Sequence, residues 1–356
     1  MVWSLKLVKH GIAAGLLIAF FLTGCATSQI SPVSNIETAD GAFSVPYRIS
    51  SSGRFLIDVS VNGGSSRPLS VDTGATVSVI YSDFARSENL KVSDRTIFVR
   101  GLVGQGDRPV IESVLFGVGS KSFPLEQIVS LETPIIGDEA VGLLGSDILG
   151  NYTTLFNKET MTATFVPRRN IDAGSFAGWS HIPLQTLTDT STNTQLYFAQ
   201  TDFDGVDIPV LIDTGSNLNF INWQLAKMDT EIRKLEKKMR RNGTLQGALE
   251  STSFAAETIF YDLQLGSELW DEIDVVVMAL PTLETVAPVN DPMIVAGANI
   301  FAGHTIAFDL QGRAIYIYPK PGARRAVQTN RDQILIAEEA QRRVLEDLTA
   351  DPQAPF

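Results

Sequence analysis

The sequence predicts a mainly β protein of two lobes related by a pseudo-twofold axis, with a cleft between them, an inserted helix and a C-terminal helix. Three observations lead there. One β-rich unit occurs twice in the same internal order. Within each copy, apolar and polar residues alternate between Asn-Gly or Asp-Gly turns, the pattern of paired strands. Each copy also carries an Asp-Thr-Gly turn between two apolar runs, at 72–74 and 213–215. The composition suits this: of 356 residues, 44% are hydrophobic and 19% charged, enough to bury a sizeable core. The formal net charge of −12 leaves no cationic field for phosphate backbones, which excludes nucleic acid as a partner.

In chain order, residues 1–24 come first. Lys6 and Lys9 precede the apolar run "GIAAGLLIAFF", and small residues close it, the order of a secretory signal peptide rather than a membrane span. The closing "LTGC" resembles the bacterial lipobox, which implies that Cys25 is lipidated and becomes the mature N-terminus, anchoring the chain to a membrane. An ordinary cleaved signal beside a chance cysteine is the other reading. Cys25 is the sole cysteine, so no intrachain disulfide can form. Residue 26 is Ala rather than Asp, which by the lipoprotein sorting rule points to the outer membrane, facing the periplasm. Residues 25–48, opening "CATSQISPVSN", read as a polar tether.

The first unit spans 49–167 and the second 181–320, with 168–180 as linker and 321–356 as a helical tail. "RFLIDVSVNGGSSRPLSVDTGATVSVI" at 54–80 matches "LYFAQTDFDGVDIPVLIDTGSNLNFI" at 196–221 in strand, turn, strand and Asp-Thr-Gly. Downstream, "SVLFGVGSKSFPLEQIVSL" at 113–131 and "YDLQLGSELWDEIDVVVMAL" at 261–280 both read as hairpins turning at Gly-Ser. Next come "VGLLGSDILGN" at 141–151 and "IVAGANIFAGH" at 294–304. "TLFNKETMTATFVP" at 154–167 and "TIAFDLQGRAIYIYP" at 305–319 close the units. The second unit is longer by an insertion. There, Leu225, Met228, Ile232, Leu235 and Met239 recur at helical spacing and predict a covering helix over 223–241. Leu335, Val344, Leu345 and Leu348 predict another over 327–349.

A single Asp-Thr-Gly is a good turn and nothing more. Two at equivalent points of a duplicated unit are brought face to face by the pseudo-twofold axis. Asp72 and Asp213 then form a pair that cannot both ionise cheaply, so they share one proton and their apparent pKa values split. Such a pair hydrolyses an amide with water alone: the carboxylate takes the water's proton, and the carboxylic acid protonates the carbonyl oxygen. Gly74 and Gly215 let the backbone approach the carboxylates. Thr73 and Thr214 can bond across the axis and lock the two loops.

With these motifs the sequence resembles the aspartic peptidases of the pepsin and retropepsin superfamily. "VDTGA" and "IDTGS" match their catalytic-loop signature, and "LLGSDIL" and "VAGANIF" match the hydrophobic-hydrophobic-Gly element beneath each loop. The resemblance covers about residues 50–320. It implies acid-protease-like lobes, Asp72 and Asp213 as the catalytic dyad, and endopeptidase activity on peptide or unfolded-protein substrates of the cell envelope. No cofactor or metal is expected, and a monomer is, because one chain carries both lobes. Ala75 stands where Ser216 stands in the second loop. A Ser216 hydroxyl bonded to Asp213 would make Asp213 the more readily ionised partner and Asp72 the proton holder, and alanine at 75, the retroviral choice, would raise the working pH. The stretch "TIFVRGLVGQGDRPVIES" at 96–113 lacks the pepsin flap tyrosine but carries Gly101, Gly104 and Gly106; it reads as a retropepsin-like flap or as a plain exposed hairpin. "RNGTLQGALESTS" at 241–253 is the candidate second flap. The histidines at 10, 181 and 304 supply neither a Ser-His-Asp triad nor a zinc site. The competing function is a lipoprotein that keeps the cleft to bind a peptide or partner without cutting it.

Overall fold

The computed structural model describes residues 32–134, 138–172, 174–189, 194–229, 243–246, 251–254, 256–281, 283 and 291–319. Cys25, the signal segment and the expected C-terminal helix lie outside them, as does 230–241 of the expected inserted helix.

Duplication is visible in the strand pairing. In the first half, β1 (Phe43–Ile49), β2 (Phe55–Val61) and β3 (Arg67–Val71) are followed by β4 (Val79–Tyr81) and a short helix, α1 (Ser82–Ser87). Two long hairpin strands come after β5 (Val92–Arg100): β6 (Gln105–Val118) and β7 (Lys121–Leu131). Then β8 (Gly142–Leu144), the helix α2 (Ser146–Leu149), β9 (Tyr152–Asn157) and β10 (Thr162–Pro167) close the half. Strand β8 pairs parallel to β3 and antiparallel to β4, and β4 pairs parallel to β7.

The second half repeats this pattern. Its elements are β11 (Ser180–Pro183), β12 (Gln185–Asp189), β13 (Thr194–Phe203), β14 (Val206–Asp213) and β15 (Asn219–Ile221), then the helix α3 (Trp223–Met228). After β16 (Gly243–Gln246) and β17 (Ser251–Phe254) come β18 (Ala256–Leu265), β19 (Glu268–Val277), β20 (Ile294–Gly297), β21 (Ile306–Asp309) and β22 (Ala314–Ile317). Here β20 pairs parallel to β14 and antiparallel to β15, and β15 pairs parallel to β19.

A two-residue turn joins β13 to β14, whereas residues 62–66 join β2 to β3 and open with an Asn-Gly turn. Asn62-Gly63 and Asp204-Gly205 all have positive φ, between 51° and 80°, which type I′ turns require. The hairpins β6–β7 and β18–β19 turn at Gly119 and Gly266, also at positive φ.

Both halves meet in a platform of strands ordered β11-β22-β21-β9-β10-β1, with the seam at β9–β21, where Phe156 faces Ile306 and Thr154 faces Phe308. Alternation along β9 gives this platform two faces. Thr154, Phe156 and Phe308 line a small cavity with Val71 and Thr73, so that face looks towards the Asp-Thr-Gly loops. Phe156 packs tilted against Phe55, with ring centroids 4.6 Å apart, and meets Phe308 edge-on at 6.0 Å, joining the cores of both halves. Leu155, Val166 and Ala307 point the other way, into a cluster with Ile36, Phe176 and Trp179.

That cluster corrects two expectations. A helical turn at Val33–Glu37 and strand β1 from Phe43 fall inside the segment 25–48 expected as tether, because Ile36 and Phe43 have apolar surface to bury. Residues 168–180 are likewise no loose linker: Phe176 stacks on Tyr316 at 4.1 Å, and Trp179 packs edge-on to Tyr318. The start of the supposed insertion also belongs to the repeat, since α3 sits after β15 as α1 sits after β4. Asn222 caps α3 by accepting the Leu225 amide.

Candidate active site

Strand β3 delivers Asp72 and strand β14 delivers Asp213. Each loop is tied to the hydrophobic-Gly element beside it. The Asp72 amide donates to the Leu144 carbonyl, and Ser146 N donates to Ala75 O at 2.8 Å. In the second half Ala298 N donates to Ser216 O at 2.8 Å, and Asp213 pairs with Gly297 across the parallel ladder. Only glycine fits at 145 and 297. A Cβ on Gly145 would come 2.6 Å from the Val77 carbonyl carbon, and one on Gly297 would overlap the Leu218 carbonyl.

The two loops are locked together by their threonines. Thr73 Oγ1 donates to Ile212 O at 2.8 Å and accepts the Thr214 amide at 3.1 Å. Thr214 Oγ1 donates to Val71 O at 2.8 Å and accepts the Thr73 amide at 3.0 Å. Both side chains are buried, so these four bonds hold the halves in register at the point where the carboxyls meet. Asp72 Oδ1 accepts the amides of Gly74 (2.8 Å) and Ala75 (2.9 Å); Asp213 Oδ1 accepts those of Gly215 (3.1 Å) and Ser216 (3.2 Å). A Cβ on Gly74 would lie 2.8 Å from Asp213 Oδ1, and one on Gly215 would overlap the Asp72 carboxylate. Each glycine of one loop therefore packs directly against the aspartate of the other.

The carboxyls lie close together: the point a Cβ on Gly74 would occupy is 2.8 Å from Asp213 Oδ1 and 3.3 Å from Asp72 Oδ1. Burial raises the pKa of both. For Asp72 that rise is opposed by the Gly74 and Ala75 amides, by the charge of Arg54 and by the bond from Asp213. For Asp213, burial and the negative charge of Asp72 lift it to about 8, against the Ser216 and Gly215 amides. The two carboxyls therefore compete for a proton, and the Arg54 charge and the Gly74 and Ala75 amides favour the ionised form at Asp72. Position 216 does not supply the asymmetry expected of it. The Ser216 hydroxyl does not reach Asp213; it donates to Leu218 O at 2.8 Å. The asymmetry comes instead from Arg54 and the shorter amide contacts at Asp72.

Several supporting groups were not anticipated. Ser78 donates to Asp147 and accepts the Gly145 amide, while Asn219, at the same place in the second half, accepts the Gly297 amide at 2.9 Å. Arg54, just before β2, forks onto buried Asp138 through Nε at 2.9 Å and Nη2 at 2.5 Å, and its Nη1 donates to Gly215 O at 3.3 Å. The repeat comparison held one clue, since Arg54 is charged where the second unit has Leu196. Gly101 and Gly104 close the β5–β6 hairpin through Gly101 N to Gly104 O at 3.1 Å, with Gly104 at φ 79° and Gly106 two residues on. Leu102 and Val103 at its tip pack against a buried apolar cluster made of second-half residues, Leu218 and Phe220 among them, so the hairpin crosses between lobes. Strands β16 and β17 form the hairpin expected as its counterpart. Among the described residues no cluster of His, Cys, Asp and Glu could hold a metal.

No family model and no curated protein matches the sequence. Solved structures do. Aspartic proteinase from Irpex lacteus aligns with 78% of this chain and 97% of its own at 12% identity and a TM-score of 0.45. Conglutin gamma, a basic 7S globulin from lupine seeds, aligns with 78% and 95% at 9% identity and a TM-score of 0.44. A retropepsin-like aspartic protease from Rickettsia conorii aligns with 35% of this chain and 89% of its own, at 18% identity and a TM-score of 0.25. These neighbours include pepsin-like and retropepsin-like proteases, a resemblance at the level of the fold alone.

Proposed function

We propose that this chain is an aspartic endopeptidase in which Asp72 and Asp213 activate water against a peptide bond. The observation that carries the reading is the threonine-locked, proton-sharing pair in which each aspartate accepts two amides of its own loop. Ionised Asp72 takes a proton from the attacking water while Asp213 gives its proton to the carbonyl oxygen. Collapse of the resulting diol then returns a proton to the leaving amine and frees the acid. The hairpin with Gly101, Gly104 and Gly106 acts as the flap that closes over substrate and excludes water.

The substrates are peptides or unfolded proteins of the cell envelope, and the enzyme works as a monomer held to the outer membrane by lipid on Cys25. The lipobox-like "LTGC" supports the anchor, and no described helix is long and apolar enough to cross a membrane. The test is cleavage of an unfolded protein by the mature chain. Pepstatin-sensitive cleavage that Asp72→Asn abolishes is expected. A folded chain that binds such substrates without cutting them would establish the binding-lipoprotein alternative instead.

A further inference from the structure

The dyad loops are built alike, but one charged group breaks their symmetry. Strand register fixes the comparison: Leu56 faces Ser70 and Phe198 faces Leu211, and both partners lie two residues before their aspartate. Arg54 therefore corresponds to Leu196, an apolar residue packed beside Phe198 and Leu218. Tyr81 likewise corresponds to Asn222, whose amide is spent on the Asp291 carbonyl and on the Leu225 and Met293 amides.

Among the described residues, then, the first half carries a cation beside its aspartate, Arg54, and the second half carries none at the matching position. Its guanidinium is fixed from three sides. Asp138, with a fully buried side chain, takes the fork and is itself held by Ser52 Oγ at 2.8 Å and the Ala140 amide at 3.1 Å. The Tyr81 side chain lies beside the guanidinium. The third contact crosses the lobes to the carbonyl of Gly215, the residue whose Cα packs on the Asp72 carboxylate.

We propose that Arg54 is a positioning residue that assigns the two aspartates their unequal roles, holding Asp72 as the ionised member and fixing the second loop against it. The proposal rests on the peptidase reading only for its kinetic readout. The titratable groups facing the pair are Arg54, Tyr81 and, behind Arg54, Asp138. Burial raises the Asp138 pKa, and Arg54 with Ser50 and Ser52 more than offsets this, bringing it down to about 2; Asp138 therefore stays charged with Arg54 at working pH. Tyr81 stays neutral, because burial raises its pKa.

The sign of the effect follows. Asp72 must be ionised to accept the water's proton, so its protonation sets the acid limb of the pH profile. Removing the cation makes Asp72 harder to ionise and moves that limb up.

The experiment compares wild type, Arg54→Lys and the double variant Arg54→Gln/Asp138→Asn, which removes both charges and leaves no buried carboxylate unpaired. For kcat/KM on an unfolded protein, the double variant should shift the acid limb upward by about one pH unit. Arg54→Lys should keep the limb with the wild type but lower kcat about tenfold, because an ammonium cannot reproduce the fork and the bond to Gly215. A folded double variant with the wild-type acid limb overturns the proposal. In parallel, a ¹³C-carboxyl NMR titration reads Asp72 without any turnover. An Asp72 midpoint that does not move in the double variant overturns the role of Arg54 whatever the protein cleaves. A midpoint that moves in a chain that cleaves nothing upholds the role of Arg54 and sinks only the peptidase reading.

Discussion

The threonine lock gives the sharpest stability prediction. Replacing Thr73 with valine keeps shape and burial but deletes one oxygen, and with it two bonds: the donation to Ile212 O and the acceptance of the Thr214 amide. Both orphaned groups belong to the second half and are buried beneath the dyad. An unsatisfied buried backbone group costs about 1–3 kcal/mol, so the substitution should destabilise the fold by about 2–6 kcal/mol. For a chain of this size the middle of that range lowers Tm by roughly 5 °C. Thr73→Ser retains the oxygen and should cost less than about 1 kcal/mol. Thr214→Val loses the equivalent bonds to Val71 O and from the Thr73 amide and should match Thr73→Val within about 1 kcal/mol. Urea unfolding reads all four proteins. If Thr73→Val unfolds within about 0.5 kcal/mol of wild type, the four bonds do not hold the halves together and the argument is wrong.

Gly215→Ala drives a methyl into the Asp72 carboxylate and should lower kcat about a hundredfold, with a smaller loss for Gly74→Ala, whose Cβ would sit 2.8 Å from Asp213 Oδ1; single-turnover kinetics compare them. Asp213 has a folded-state pKa raised above that of an unfolded carboxyl, so its stabilising contribution is complete below about pH 4 and fades as pH rises through about 8. Unfolding free energy should therefore decline with pH across that window, and Asp213→Asn should flatten the decline. Ala75→Ser should leave the pH-rate profile unmoved, since the matching Ser216 hydroxyl binds Leu218 O and not a carboxylate. Leu102→Asp at the hairpin tip should raise KM several-fold, because it breaks the apolar contact that holds the hairpin against the second half; steady-state kinetics on an unfolded protein measure it.

Most of the frame could be read from the chain. Asn62-Gly63 and Asp204-Gly205 announced their hairpins because few residues tolerate two successive positive φ angles. The two Asp-Thr-Gly turns announced the site because duplication gave each a partner. What escaped was whatever depends on distant groups meeting. Asp138 is far from Arg54 in sequence, and nothing local marks it as the buried end of a fork. The direction of the Ser216 hydroxyl is set by a carbonyl two residues on, so the residue type suggested a bond that the backbone does not allow. The segment 25–48 looked like tether because its polar letters hide the alternation of β1, whose Phe43, Val45 and Tyr47 are buried while Ser44 and Pro46 face out.

The most direct measurement is the initial rate at which the mature chain cuts an unfolded protein, for wild type, Asp72→Asn and Asp213→Asn side by side. A proton-sharing pair needs both members, so each substitution should lower the rate by about three orders of magnitude while the protein stays folded. Either variant cutting at a rate near that of wild type would contradict the dyad.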